Sequence, residues 1–388
     1  MYFPLLLLVV WSTLLGAFPV SVGAYFWDDQ GAKDSTIEFT QYSHATGNYL
    51  SKLSASTYCT AAKLMRWTCP TCADKYIVED SITALQEGDV EALVLVDVRP
   101  GAASNEGEAE PQSTIVVVFR GTDVLSWDNW LADLKFMGIT PTQYSNCKGC
   151  SVHRGFLHAF ESLQDKILSR VQDLMEQYPD ASVVVTGHSL GGAMAVHCAL
   201  TLLEMDKPAP LAALYTFGQP RTGNGVFANW ATARLAAQGA SYFRITNDQD
   251  PVPQLPPYFW DYQHFGTEIY YSSFSVVLGT SGPWHVCQGT GDSTCLESKS
   301  LVSSSVGDHC GYVDVNYCIN WMKCSGEILP AIPTAKDFEL GLDSLLTPGA
   351  AAEAAKSAWE KLGILVPSWG GQGDEELVHE GASLANTS

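Results

Sequence analysis

The 388-residue chain is short of positive charge: 21 Lys and Arg stand against 42 Asp and Glu, a formal net charge of −21. Nucleic acid and anionic membrane surfaces repel a protein of this sign, so neutral substrates are favoured and no nucleic-acid partner is expected. Beyond the N-terminus there is no apolar run long enough to cross a bilayer, and no internal repeat. Zinc spacing is missing as well. The CxxC pairs Cys69/Cys72 and Cys147/Cys150 lie far apart and have no histidines at the intervals a zinc site requires.

The first 24 residues contain LLLLVVWSTLLGAF, carry no charge and end in Val22-Gly23-Ala24. This reads as a secretory signal peptide with Tyr25 as the mature N-terminus, although the leading segment lacks Lys and Arg. An uncleaved signal anchor is the alternative, because the apolar run approaches the roughly 20 residues that span a bilayer. Behind such a signal, the 11 cysteines imply a disulfide framework rather than a metal site. The odd count leaves one thiol over in a monomer, the oligomeric state expected here. Cys198, inside an apolar helical stretch, is the expected free one, behaving as a small buried hydrophobe.

Strand patterns over 90–98 (VEALVLVDV) and 114–119 (TIVVVF) are joined by an acidic Gly/Ala-rich loop. An amphipathic helix is predicted over 155–178, a strand over 182–186, a helix over 189–204, and strands over 211–217 and 241–246. Strands alternating with helices imply an α/β fold with a mostly parallel central sheet and helices on both faces, its chemistry at the carboxyl ends of the strands. From about Ser325 the composition turns to Ala, Gly, Glu and Asp, with a short amphipathic helix near 350–361 and a polar, disordered terminus. Three segments result: signal peptide 1–24, α/β domain 25–325 and an acidic extension 326–388. The sequon at Asn386 lies almost at the last residue, a poor position for glycosylation.

Chemistry concentrates at SVVVTGHSLGG, residues 182–192. An apolar β-branched run breaks into GHSLG and then into a helical pattern, the context that a G-x-S-x-G elbow requires. Gly187 and Gly191 leave room where side chains would collide, so Ser189 is held exposed and strained behind a helix N-terminus that favours developing negative charge. Serine alone is a poor nucleophile and needs a base with an orienting carboxylate, in the chain order Ser, Asp or Glu, His. Asp250, following strand 241–246 in NDQDPVPQLPP, is the leading acid, with Asp248 and Asp261 as rivals. Among the histidines beyond it, His379 lies in the polar tail and His285 beside a local cysteine loop, Cys287 to Cys295. Spacing alone leaves His264 and His309 equal.

TIVVVFRGT (114–122), NWLADL (129–134), VHRGF (152–156), GHSLGGAMA (187–195), TFGQPRTGN (216–224), NDQDPVPQLPP (247–257), HFGTEIYY (264–271) and GDHCGYV (307–313) occur in this order. Together they resemble the secreted fungal-type class 3 lipases, a branch of the α/β-hydrolases that also contains feruloyl esterases. The resemblance runs from about residue 36 to 325 and leaves the C-terminal extension uncovered. It implies Ser189 as nucleophile, Asp250 as orienting acid and His309 as general base, and assigns His264 to a segment whose histidine is not the base. It further implies an oxyanion hole from Thr122 and the backbone N–H of Leu190, with a loss of about 100-fold or more in rate without Thr122. His188 is left to packing and hydrogen bonding.

The segment DVLSWDNWL, 123–131, occupies the position of the family's lid, with Leu125, Trp127, Trp130 and Leu131 as a candidate apolar, substrate-facing side. Cys147/Cys150 matches a tight family disulfide, and Cys59 is expected to reach Cys318 or Cys324. Cys310, next to the expected base, departs from the family pattern, and its partner does not follow from spacing. The expected activity is that of a secreted triacylglycerol lipase working through an acyl-enzyme, with no metal or organic cofactor. A feruloyl or short-acyl esterase, or a phospholipase or galactolipase, is the alternative among enzymes. An inactive binding protein is the remote one.

Overall fold

A computed structural model describes residues 38–326, apart from 73, 101–110, 124–137, 140, 142–143, 145, 290–291 and 300–303. By its internal contacts the chain divides into residues 1–35 and 36–388; the first unit lies outside the described residues. The expected signal peptide and the extension beyond Gly326 fall outside them too.

Eight strands form the main sheet: β1 (Thr83–Glu87), β2 (Val90–Arg99), β3 (Gln112–Phe119), β4 (Ser182–His188), β5 (Leu211–Phe217), β6 (Ser241–Asn247), β7 (Thr267–Tyr271) and β8 (Trp284–Val286). They lie side by side in chain order. β3 to β7 pair in parallel. β1, β2 and β3 pair antiparallel at one edge, as do β7 and β8 at the other. Helices α1 (His44–Ser56), α2 (Arg154–Gln177), α3 (Leu190–Leu203), α4 (Gly225–Ala237) and α5 (Tyr317–Ser325) supply the longer helical elements. This is the mostly parallel, helix-covered sheet that the alternating pattern implied, and the α/β-hydrolase arrangement that the resemblance implied.

The continuous apolar runs of the central strands follow from burial on both faces. Val94, Val96, Val117, Val183 and Val185 pack with α2, α3 and α4 into one core. Their strand neighbours Leu93, Leu95, Val116, Val118 and Val184 pack with α1 and α5 into the other. Successive side chains on a strand point to opposite faces, so one sequence run feeds two cores.

Five disulfides are formed: Cys59–Cys324, Cys69–Cys72, Cys147–Cys150, Cys287–Cys295 and Cys310–Cys318. Cys59 thus takes the later of its two expected partners, and Cys310 acquires the partner that spacing left open. Cys198 is the free cysteine, fully buried in α3, where burial pushes its thiol far above the ordinary range.

Candidate active site

Parallel strands β3, β4, β5 and β6 end in register at one edge, with Phe119 opposite Gly187, His188 opposite Phe217, and Phe217 opposite Ile245. Each connection leaving that edge carries one part of the site. Ser189 follows β4 directly with φ +60° and ψ −128°, a strained backbone for a non-glycine residue. Its N–H donates to Phe217 O at 2.9 Å, and α3 begins at the next residue, Leu190. The glycines of the motif have the steric role expected of them. A methyl on Gly187 would lie 2.3 Å from Gly191 O, and one on Gly191 would lie 2.3 Å from Phe119 O.

Asp250 and His309 meet at the same edge. His309 Nδ1 lies 2.6 Å from Asp250 Oδ2, and both side chains are buried. A carboxylate only accepts, so Nδ1 carries the proton and Nε2 is the basic nitrogen of the neutral ring. Asp250 Oδ1 accepts from Val252 N–H at 2.8 Å, and Oδ2 also accepts from the hydroxyl of Tyr312. Burial and the adjacent Asp250 charge hold the Tyr312 phenol well above its ordinary range, so it stays protonated as a donor. The sequence reading had no role for Tyr312. The only available signal was its place in GDHCGYV, three residues after His309.

The loop bearing His309 is stitched to the loop bearing Asp250. Asn247 Nδ2 donates to Asp308 O at 3.0 Å, Gln249 N–H to Asp308 Oδ2 at 3.3 Å, and Ser305 N–H to Gln249 O at 3.0 Å. The Cys310–Cys318 disulfide fastens the same loop to the first turn of α5. Beneath it lies Gly218, with φ +59°. A methyl there would stand 2.7 Å from His309 Cε1 and 2.8 Å from the Tyr312 hydroxyl. Gly218 follows Phe217, whose carbonyl holds the Ser189 backbone, so the end of β5 touches both the serine's backbone and the His309 ring.

The FRG loop after β3 is braced from outside. Arg120 forms an ion pair with Glu91 at 2.7 Å, and Trp321 Nε1 of α5 donates to Asp123 Oδ2 at 3.2 Å. A methyl on Gly121 would lie 2.7 Å from His188 O and 2.9 Å from Ser189 Cβ. Thr122, the next residue, is half-buried, and Leu190 stands half-buried at the first position of α3. Of the lid candidates, Leu125, Trp127, Trp130 and Leu131 lie outside the described residues.

The rival groups are elsewhere. Asp248 takes φ +38° in the turn after β6, and its N–H donates to Tyr271 O. Asp261 closes a single turn in the left-handed region. His264 donates from Nε2 to Pro253 O at 2.7 Å and bolsters the Asp250 loop; burial and then Arg244 and Arg221 hold its pKa well below the ordinary range. His285 lies against Thr294 and the Cys287–Cys295 bridge. His379 lies outside the described residues. His188 is buried between Tyr58, whose hydroxyl donates to its Nδ1 at 2.7 Å, and His309 O, to which its Nε2 donates. Burial, then His309, hold it neutral.

The profile of the lipase (class 3) family matches residues 116–260, which carry Thr122, Ser189 and Asp250. The chain is 33% identical to a lipase of Rhizomucor miehei over 271 residues, 69% of this chain and 68% of that one. It belongs to the class 3 lipase family. As such it is a carboxylic ester hydrolase of the α/β-hydrolase fold. The Rhizopus niveus lipase is 29% identical over 72% of this chain, and the match spans 64% of that relative's length, just under two thirds. Among solved structures, the triacylglyceride lipase of Rhizomucor miehei is 32% identical over 70% of this chain and 94% of that one, with a TM-score of 0.54. A triacylglycerol lipase whose catalytic centre is described as a serine protease triad is 34% identical over 70% and 94%, with a TM-score of 0.55.

Proposed function

We propose that this class 3 lipase hydrolyses triacylglycerol through an acyl-enzyme on Ser189. The observation that carries the reading is the strained Ser189 at the end of β4, on the edge where the buried Asp250–His309 pair lies. His309 Nε2 takes the serine proton as Oγ attacks the ester carbonyl, while Asp250 holds the imidazole and offsets the charge it gains. The N–H groups of Thr122 and Leu190 receive the oxyanion, and the N-terminus of α3 adds a favourable field. Collapse breaks the ester C–O bond as the His309 imidazolium gives its proton to the leaving oxygen, releasing the alcohol and a neutral ring. Water deprotonated by the same histidine then frees the carboxylic acid. No step calls for a metal or organic cofactor.

The solved relatives support the substrate class. One described as a triacylglycerol lipase shares 34% identity, and a fungal lipase–inhibitor complex presented as a model for interfacial activation shares 33%. Segment 123–131 serves as the lid in this reading, its entry tethered by the Asp123–Trp321 hydrogen bond. Secretion as a monomer, with the signal removed after Ala24, accords with five disulfides and with a secreted mono- and diacylglycerol lipase of Fusarium solani at 33% identity. No helix among the described residues is long and apolar enough to cross a membrane.

The test is hydrolysis by residues 25–388, against Ser189→Ala, of a triacylglycerol series and of methyl ferulate across each solubility limit. A serine-dependent rate that jumps when emulsion appears supports an interfacial lipase. Turnover confined to dissolved short esters or ferulate moves the reading to an esterase, and no serine-dependent turnover overturns it.

A further inference from the structure

Directly after β7 the chain makes a hairpin, Phe274–Ser275 against Thr280–Ser281, with Val276, Val277 and Leu278 at its tip. These three side chains are 48%, 95% and 75% exposed. Isolated surface hydrophobes need no explanation, but three consecutive large aliphatics at a protruding turn do. No Asp, Glu, Lys or Arg occurs from Ser272 to Trp284, in a chain of net charge −21. The turn also satisfies part of its own backbone. Gly279 N–H donates to Ser275 O at 2.7 Å and Leu278 N–H to Ser275 Oγ at 3.3 Å, which lowers the cost of taking it out of water.

The hairpin is mounted on the loop of the candidate base. A methyl on Gly311 would lie 2.2 Å from Phe274 Cγ, so the Phe274 ring lies against the backbone two residues beyond His309. Ser281 N–H donates to Asp314 Oδ1 at 2.6 Å, and Asp314 N–H returns a bond to Ser281 Oγ at 3.1 Å. β7 runs parallel to β6 with Tyr271 opposite Asn247, so the hairpin rises from the same strand edge that bears Ser189.

From this the geometry points to the Val276–Leu278 tip as a lipid-surface anchor, fixed to the His309 loop and distinct from segment 123–131, that enters the uncharged surface of a neutral acylglycerol droplet. The inference rests on the proposed lipase reading. An uncharged, internally bonded apolar tip suits an uncharged surface, whereas the acidic body of the molecule disfavours an anionic one.

The experiment compares the full chain with a Val277→Ser/Leu278→Ser variant, both in a Ser189→Ala background, for partitioning onto triolein emulsion in a flotation assay. The same substitutions in the active chain are assayed on a dissolved short-chain ester. Both side chains are solvent-exposed, so the fold is expected to be retained. Losing their insertion should weaken partitioning by on the order of 10- to 100-fold, with the dissolved-ester rate unchanged. Unchanged partitioning overturns the anchor, as does an equal loss on the dissolved ester. It is overturned too if the unsubstituted chain sediments as a dimer that the substitutions dissolve, since the tip would then bind a second copy. An absence of serine-dependent turnover in the unsubstituted chain counts against the lipase reading instead.

Discussion

The imidazole of His188, one residue before Ser189, donates from Nε2 to the backbone carbonyl of His309, 2.9 Å away. The residue preceding the candidate nucleophile therefore positions the candidate base, and it does so as a neutral ring, because Tyr58 fills its other nitrogen and burial disfavours its charge. His188→Leu leaves the His309 carbonyl and the Tyr58 hydroxyl buried without this partner. We expect a stability loss of about 3 kcal/mol and a fall in kcat of about tenfold at nearly constant KM. Thermal unfolding and Michaelis kinetics measure both; a lowered Tm with kcat intact would reduce His188 to a packing role.

Gly218→Ala places a methyl against His309 and the Tyr312 hydroxyl, on a backbone whose φ of +59° already disfavours a side chain. Displacing the imidazole by even part of an ångström should cost about 100-fold in kcat. The check is the rate on a dissolved ester. Unchanged turnover would show that the His309 loop moves aside freely.

Asp308, beside His309, has its carboxyl pushed up to about 6 by burial, then by the nearby Asp248 and, more weakly, Asp250. An aspartate raised this way binds its proton more tightly when folded than when unfolded. Its contribution to stability is full below about pH 4 and is lost as pH rises through about 6. Asp308→Asn keeps an acceptor for Gln249 N–H while removing the charge. The Tm of the variant relative to the parent should rise across that window and level off above it. A difference constant with pH would refute the assignment.

The Cys59–Cys324 bridge closes a loop of 265 residues and ties the segment after α1 to the end of α5. Its removal as Cys59→Ser/Cys324→Ser should lower stability by about 5–6 kcal/mol, the loop-closure value for so long a loop. Denaturant unfolding reads this directly. A loss below about 1 kcal/mol would mean that α5 is held by packing alone.

Legibility from sequence followed local physics. Elements with strong periodicity were found within a residue or two: the helix predicted over 155–178 is Arg154–Gln177, and the strand over 211–217 is Leu211–Phe217. Helix α1, HATGNYLSKLSAS, went unseen because its Ser, Thr and Gly residues favour other conformations, and tertiary burial of Leu50 and Leu53 overrides them. The edge strands β1 and β8 also went unread; TALQE and WHV are too short and too exposed to show a pattern. In the site, Ser189 was legible because strand, turn and helix are contiguous. The choice of His309 over His264 was legible only through the family resemblance, since spacing leaves them equal and the pairing depends on two loops meeting far apart in sequence. The Tyr312–Asp250 bond is a product of the same long-range closure, whereas the Cys310–Cys318 pairing is local and was hidden because spacing does not fix connectivity among 11 cysteines.

Helix α3, which starts at the serine elbow, also encloses Cys198. Thiol exchange proceeds through the thiolate, and burial in an apolar helix suppresses ionisation and access alike. The eleventh sulfur would otherwise be the catalyst that lets ten others trade partners. By withdrawing it from solvent, the fold keeps its cross-links in their native pairing through each cycle of thermal opening that leaves α3 closed.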